Sequence, residues 1–255
     1  MMRLDLLLVA RGLARSRTRA QRLIRHGRVS ATDAPERPLT RPGEKWPEDT
    51  AFTITDDPEE RYVSRAGLKL EALLDTLALD LSDCLVLDVG QSTGGFTDCA
   101  LKRGARHVIG IEVGHDQLDV ALREDPRVTC LEGLNARAMS DDPRLREALA
   151  AHDARCPRVA VMDVSFISQT RILPELARVL TSGAHLLSLV KPQFEVGPGR
   201  VDARGIVTDP ALHAEVEAAI RACATGHGFR VDTWRDSPIR GGDGNREFLL
   251  HARRT

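Results

Sequence analysis

At 255 residues, with 42% hydrophobic and 29% charged content, the chain has the size and balance of one large soluble domain or two smaller ones. No apolar run approaches the ~18 residues that span a bilayer, and arginines recur where a signal peptide would be apolar. Five scattered cysteines (84, 99, 130, 156, 223) without a C-x-x-C pair point away from a disulfide framework or zinc site and toward a reducing cytoplasm.

The net charge of −1 argues against a polyanion partner only until it is divided along the chain. Residues 1–30 hold eight Arg against Asp5 alone, a net of +7, whereas residues 31–60 hold three basic and nine acidic residues, a net of −6. Such segregation is the footprint of a nucleic-acid-binding surface. The basic residues are also written almost wholly as Arg, leaving Lys only at 45, 69, 102 and 191.

In chain order, Leu4, Leu7, Leu8 and Gly12 predict a short amphipathic helix ended by glycine. Ser16 caps a second, with Ala20, Leu23 and Ile24 inward and Gly27 as its stop. Arg3 precedes these helices, and Arg15, Arg17, Arg19, Arg22, Arg25 and Arg28 surround the second and its N-terminus, where unpaired backbone N–H groups also favour phosphate. Residues 29–57 read as short strands broken by Pro35, Pro38, Pro42 and Pro47, and Asp56–Glu60 reads as an acidic linker. The expected division is therefore 1–60 and 61–255.

After Tyr62 a helix over Ser64–Leu79 is followed by alternating elements. Strands are predicted at Leu85–Val89, His107–Glu112, Val128–Leu131, Val159–Asp163, His185–Val190, Arg230–Trp234 and Phe248–Ala252. Helices fall near 95–103, 115–123, 142–151, 170–180 and 210–226. The alternation predicts an α/β fold with a doubly wound, mostly parallel sheet.

The first of these strands enters Asp88-Val89-Gly90-Gln91-Ser92-Thr93-Gly94-Gly95-Phe96 and then a helix. A dinucleotide fingerprint would need glycine at 92. A nucleophile elbow matches Gly90–Gly94 literally with Ser92 as nucleophile, but it follows the first strand and has no obvious histidine partner. An S-adenosylmethionine site needs glycines only at 90, 94 and 95, where the backbone meets the amino-acid moiety. Glu112, ending the next strand, would accept hydrogen bonds from both ribose hydroxyls, and Asn135 would touch the adenine.

Asp163 and Lys191 terminate later strands, where chemistry gathers in open α/β sheets. Glu247 opens the last strand, and Lys69 lies on the entering helix. No metal-ligating constellation stands out.

From Arg3-Leu4-Asp5 and Ser16-Arg17 through Tyr62–Arg65, Asp88–Gly90, Ser92–Asp98, Asn135–Arg137, Asp163–Ser168, Lys191–Glu195 and Gly244-Asn245, the chain resembles the TlyA (haemolysin-A-like) family of ribosomal-RNA 2′-O-methyltransferases. The resemblance runs end to end. It implies a small N-terminal α+β S-four-like RNA-binding domain joined to a Rossmann-like, FtsJ/RrmJ-type methyltransferase domain that uses S-adenosyl-L-methionine. It puts a catalytic Lys-Asp-Lys-Glu tetrad on Lys69, Asp163, Lys191 and Glu247. The cofactor set would be Asp88, Gly90, Ser92, Thr93, Gly94, Gly95, Phe96, Glu112, Asn135 and Asp163. The substrate it implies is a cytidine of ribosomal RNA, free or in a ribosomal subunit. Departures are Glu112 where the family has Asp, Gln91 where it has Ala, and Arg204 where it has a second Gly. Thr32–Pro38 also reads as a longer, proline-rich connection in place of the family's Asn-Gly hairpin.

In the expected mechanism Lys191 deprotonates or orients the ribose hydroxyl, burial and the proximity of Lys69 lower its affinity for the proton, and Asp163 and Glu247 position the two lysines. A guanidinium cannot give up its proton, which accounts for Lys being kept where Arg is the habit. Two other classes stay open here: a non-catalytic cofactor- and RNA-binding assembly factor, and a haemolysin, for which the chain shows no membrane-lytic amphipathic or spanning segment.

Overall fold

Apolar residues at helical spacing and a serine cap build the beginning of the chain. Strand β1 (Met2–Arg3) leads into α1 (Leu4–Ala10), and Ser16 Oγ accepts the Arg19 amide to start α2 (Arg17–Arg25). Strands β2 (Val29–Ala31), β3 (Ala34–Leu39), β4 (Lys45–Trp46) and β5 (Phe52–Ile54) come next. β1 pairs with β4, and β3-β2-β5 forms an antiparallel sheet. Leu4, Leu8, Leu23, Ile24, Val29 and Phe52 fill the core between helices and sheet.

Two features differ from the expectation for this region. Ala31 pairs with Ala34, so the β2–β3 connection is a two-residue turn at Thr32-Asp33, not a long proline-rich loop. Pro35 and Pro38 lie within β3 itself, which tolerates them because it is the sheet's edge and need not donate from both sides.

The structure, a computed structural model, describes residues 1–14, 16–55, 61–152, 157–242 and 244–255. Arg15 of the predicted basic set, the predicted linker Asp56–Glu60, and Cys156 lie outside the described residues. The chain divides into two units, Met1–Arg61 and Tyr62–Thr255.

The second unit begins with α3 (Ala66–Leu77) and continues as β6 (Leu85–Val89), α4 (Gly95–Lys102), β7 (His107–Glu112), α5 (Val120–Arg123) and β8 (Val128–Glu132). Then come α6 (Pro143–Ala150), β9 (Val159–Met162), α7 (Leu173–Val179), β10 (His185–Val190), α8 (Pro210–Gly226), β11 (Phe229–Asp236) and β12 (Phe248–Arg254). The seven strands lie in the order β11-β12-β10-β9-β6-β7-β8. β12 runs antiparallel to both neighbours and the other pairs are parallel.

Strand alternation divides the core between the two faces. Leu85, Leu87 and Val89 of β6 join the cluster holding Leu173 and Leu176 of α7 and Val216 and Ile220 of α8. Val86 joins Leu70, Leu73 and Leu74 of α3 with Cys99 and Ala100 of α4. The chain winds outward from β6 through β7 to β8, then returns on β6's other side as β9. That reversal opens a crevice at the carboxyl ends of β6 and β9.

The helix expected over 115–123 shrinks to Val120–Arg123. Asp116 takes a left-handed φ of 56°, and Asp119 caps the shortened helix by accepting the Ala121 amide. The helix expected over 170–180 divides into a 3₁₀ turn, Gln169–Arg171, and α7, with Pro174 in α7's first turn.

Candidate functional site

The turn after β6 is shaped by what approaches it. Gly90 has φ 84°, and a β-carbon there would lie 2.8 Å from the Asp163 backbone oxygen. The Asp163 amide donates to the Val89 carbonyl at 3.0 Å. The end of β9 and the glycine turn are thus one piece of structure. At Gly95 a β-carbon would meet Ser64 Oγ at 2.2 Å, which explains a second glycine at the start of α4. Thr93, Gly94 and Phe96 complete the loop, with Gly94 as the N-cap residue of α4 at φ 93°.

Asp88, the fourth residue of β6, is fully buried. Its Oδ2 accepts the Thr97 hydroxyl at 2.6 Å, while Oδ1 has no partner among the described residues. Burial pushes its carboxyl up to about 7. Gln91 donates to the same Thr97 oxygen at 2.9 Å. A β-carbon on Gly110 would come 2.0 Å from the Gln91 carboxamide, so a glycine in β7 makes room for the larger residue.

Glu112 ends β7 buried, its two oxygens accepting the Ser92 amide at 2.8 Å and the Gly114 amide at 2.7 Å. Those bonds fix the carboxylate beside the loop, and each oxygen keeps a lone pair for a further donor. The Ser92 hydroxyl donates to Gln117 Oε1 at 3.3 Å and meets no histidine among the described residues, which leaves the nucleophile-elbow reading without its base. Asn135 Oδ1 caps the next turn by accepting the Arg137 amide at 3.0 Å.

A cavity of about 930 Å³ opens over these residues. Gly90, Ser92, Glu112, Asn135 and Asp163 line it, and Phe166 and Phe194 stand on the same wall. A smaller space of about 60 Å³ lies against Ser64, Gln91, Thr93, Gly95, Phe96 and Asp163. The glycine cradle, the unpartnered buried Asp88 oxygen and the Glu112 carboxylate fit a cofactor with an amino-acid end and a ribose. No phosphate-binding nest is required of them. Among the described residues no group of three or more metal-ligating side chains occurs, and no helix is long and apolar enough to cross a membrane.

The four candidate catalytic residues resolve into two ion pairs. Lys191 Nζ lies 2.7 Å from Asp163 Oδ1 and donates to Ser165 Oγ at 2.9 Å. Both partners follow strand ends at the crevice. Lys69 of α3 pairs with Glu247, just ahead of β12, and both are buried. A β-carbon on Gly241 would crowd the Glu247 carboxylate at 2.6 Å, so the turn before β12 also uses glycine for access. Asp163 lines both cavities, and Ser165, which accepts from Lys191, lines the large one, whereas Lys191, Lys69 and Glu247 are not among the lining residues of either.

Sequence reasoning missed Ser165, which touches Lys191, and Phe166. Phe166 is 90% exposed, holds a left-handed φ of 62°, and stands 4.9 Å from the Phe194 ring. A large exposed aromatic in a disfavoured backbone region is a mark of function, and neither the exposure nor the backbone conformation is visible in the sequence. Glu195 fastens the same loop, accepting Ser168 Oγ at 2.6 Å and the Gln169 amide at 2.9 Å.

In the first unit Asp5 is fully buried and takes Arg3 and Arg17 at 3.0 Å each, with Gln21 at 2.8 Å. These donors hold its carboxyl well below the ordinary range, the Arg3 hydrogen bond most of all. Two predicted RNA-facing arginines are therefore tethered to the segment's one acid. Ser16 spends its oxygen on the helix cap, Arg25 is exposed, and Arg19, Arg22 and Arg28 are half-buried.

Comparison with known proteins bears on both units. A family model described as FtsJ-like methyltransferase matches residues 62–254, and one described as S4 domain matches residues 2–30. The chain is 40% identical over 251 residues to the 16S/23S rRNA (cytidine-2′-O)-methyltransferase TlyA of Mycobacterium tuberculosis, covering 98% of this chain and 89% of that protein. It is 44% identical over 249 residues to YqxC of Bacillus subtilis, provisionally named an rRNA methyltransferase, covering 98% and 84%. Among solved structures, a Streptococcus thermophilus protein provisionally called a hemolysin aligns with a TM-score of 0.73 at 39% identity, covering 100% of this chain and 88% of that one.

Proposed function

The chain belongs to the FtsJ-like methyltransferase family, and we propose that it transfers a methyl group from S-adenosyl-L-methionine to the ribose 2′-hydroxyl of a cytidine in ribosomal RNA, in the cytoplasm. The observation that carries this reading is that Asp163, which holds Lys191 in an ion pair, lines a cavity shared with the glycine loop and Glu112. Residues 1–60 would serve as the RNA-gripping module with its linker, and residues 61–255 as the methyltransferase.

The cofactor supplies a sulfonium-bound methyl group and its own leaving group. The chain's residues must hold it and bring the hydroxyl into line. Gly90, Gly94 and Gly95, with Ser92, Thr93 and Phe96, admit the amino-acid end. Asp88, buried near the end of β6, holds the loop through Thr97, Glu112 takes the ribose hydroxyls, and Asn135 lies toward the base. Lys191 orients the 2′-hydroxyl and takes its proton, held in position by Asp163. Lys69 and Glu247 position the second side of the tetrad. Arg15, Arg19, Arg22, Arg25 and Arg28 supply sequence-independent phosphate grip, while Arg3 and Arg17, tied to Asp5, and Ser16, spent on the helix cap, shape that surface. A target nucleotide turned out of its helix is the form that fits an in-line approach.

Lys191→Arg tests the assignment, because it keeps the charge and loses the capacity to accept a proton. Methyl transfer to ribosomal RNA is expected to fall by ~10²-fold or more while cofactor affinity stays within about twofold. A Lys191→Arg protein of undiminished activity overturns the role given to Lys191. Single-turnover transfer of labelled methyl to ribosomal subunits by the wild-type chain distinguishes an enzyme from an assembly factor that only binds.

A further inference from the structure

Most arginines of the second unit are neutralised by acids. Arg103 pairs with Glu71 and Asp75, Arg123 with Asp116 and Glu132, Arg127 with Asp125, Arg144 with Asp142, Arg200 with Glu215, and Arg246 with Asp236. Others donate to neutral oxygens, as Arg146 does to the Asp141 carbonyl and Arg235 to the Thr76 hydroxyl. Arg137 and Arg171 do neither among the described residues. Both are exposed, and both line the large cavity. Arg65 and Arg158 also lack a side-chain partner there. Arg65 lies beside Ser64 and Ala66 of the small cavity, whereas Arg158 precedes β9 at the sheet's other end.

The acids on the same cavity wall are already engaged. Glu112 accepts two backbone amides, Asp163 holds Lys191, and Glu195 accepts Ser168 and Gln169. Carboxylates are therefore present at the cavity, yet none is spent on these two guanidiniums, in a unit that pairs most of its described arginines with acids. An exposed guanidinium without a carboxylate offers its planar fork of donors to an external oxyanion.

We propose that Arg137 and Arg171 form a phosphate clamp on the catalytic unit itself, gripping the RNA backbone next to the ribose that enters the cavity. The assignment rests on the methyltransferase function and adds where the substrate's backbone lies. The cofactor carries a single carboxylate and no phosphate, so a polyanion is the ligand whose chemistry uses two such groups. Grip at this site holds one nucleotide in register while the N-terminal unit supplies affinity. Neither residue is placed among the groups that move the proton.

Salt dependence separates a phosphate contact from a cofactor contact. Binding of the full chain to unmodified 16S and 23S ribosomal RNA transcripts is measured from 50 to 300 mM salt, with cofactor affinity measured in parallel. Each lost phosphate contact lowers the slope of log K against log salt by ~0.7–0.9. Arg137→Gln/Arg171→Gln is thus expected to flatten it by about 1.5 and to raise KM for RNA more than it lowers kcat. The double lysine variant keeps the slope, and Arg123→Gln, whose guanidinium is already neutralised, serves as the paired-arginine control. An unchanged slope in the double glutamine variant, or loss of cofactor affinity in its place, overturns the clamp while the wild type still methylates RNA. A wild-type chain that neither binds nor methylates the transcripts or ribosomal subunits overturns the functional reading and the clamp with it.

Discussion

Two lysine–carboxylate pairs of the same chemistry occupy different surroundings in this protein. Lys69 and Glu247 keep only 10% and 3% of their side-chain surface, and they close on each other between α3 and the start of β12. Lys191 and Asp163 keep 14% and 16%, and the lysine also reaches Ser165 on the cavity wall. The difference in exposure is small, but its direction decides the role. A pair sealed on both sides fixes backbone and geometry, whereas a pair with one side on a cavity has a hydrogen-bonding position to offer a substrate hydroxyl.

Replacing each lysine breaks the contrast in opposite ways. Lys191→Met is expected to lower methyl transfer by ~10²–10⁴-fold with little change in melting temperature, since Asp163 borders open space and regains water. Lys69→Met leaves Glu247 buried and alone, at a cost of ~3–5 kcal/mol of stability, read from denaturant unfolding. The double variant Lys69→Met/Glu247→Leu removes the stranded charge and recovers most of that stability, while methyl transfer stays at least ~10-fold down. Full activity in the folded double variant would reduce the sealed pair to a fold element and end its place in the tetrad.

Asp88 sharpens the comparison as a buried carboxylate with no lysine at all. Thr97 is its hydrogen-bond donor, and burial raises the carboxyl to about 7. The fold therefore favours the neutral acid. Its contribution to stability is complete below the unfolded value near 3.8 and is lost as pH rises through about 7. In Asp88→Asn that loss disappears. The melting temperature of the variant relative to wild type is expected to climb by roughly 5–10 °C between pH 4 and 8 and then to level off. A flat difference across that range would mean that burial does not hold Asp88 in its neutral form.

Some of this arrangement was legible in the chain before folding. Strand ends at 163 and 191 are marked by apolar runs, Glu112 ends its strand at a spacing that reaches the loop, and lysine is scarce enough to draw attention to positions 69 and 191. What pairs with what was not legible, because Lys69 and Glu247 stand 178 residues apart and meet only once the sheet has closed. Local rules also misread segments where tertiary context wins. The prolines of β3 look like strand breakers until the strand proves to be an edge, and the 115–123 helix is cut short by the left-handed backbone of Asp116.

Phe166 carries the contrast to the open side of the site and to its smallest expected effect. Its ring is 90% exposed and therefore adds little to folding, and its φ of 62° costs on the order of 1 kcal/mol in a residue that is not glycine. A protein retains such strain where the exposed ring has a partner, and beside a nucleotide-sized cavity that partner is a base face, worth ~1–3 kcal/mol in stacking. Phe166→Ala should thus lower kcat/KM for RNA by ~5–150-fold with cofactor affinity unchanged. Phe166→Gly should lower it as much yet raise stability slightly, since glycine takes a left-handed φ freely. Stability and activity moving in opposite directions at one residue would show that the strain is sustained by substrate binding. A fall in both would return Phe166 to the fold and leave the cavity without an aromatic wall for the base.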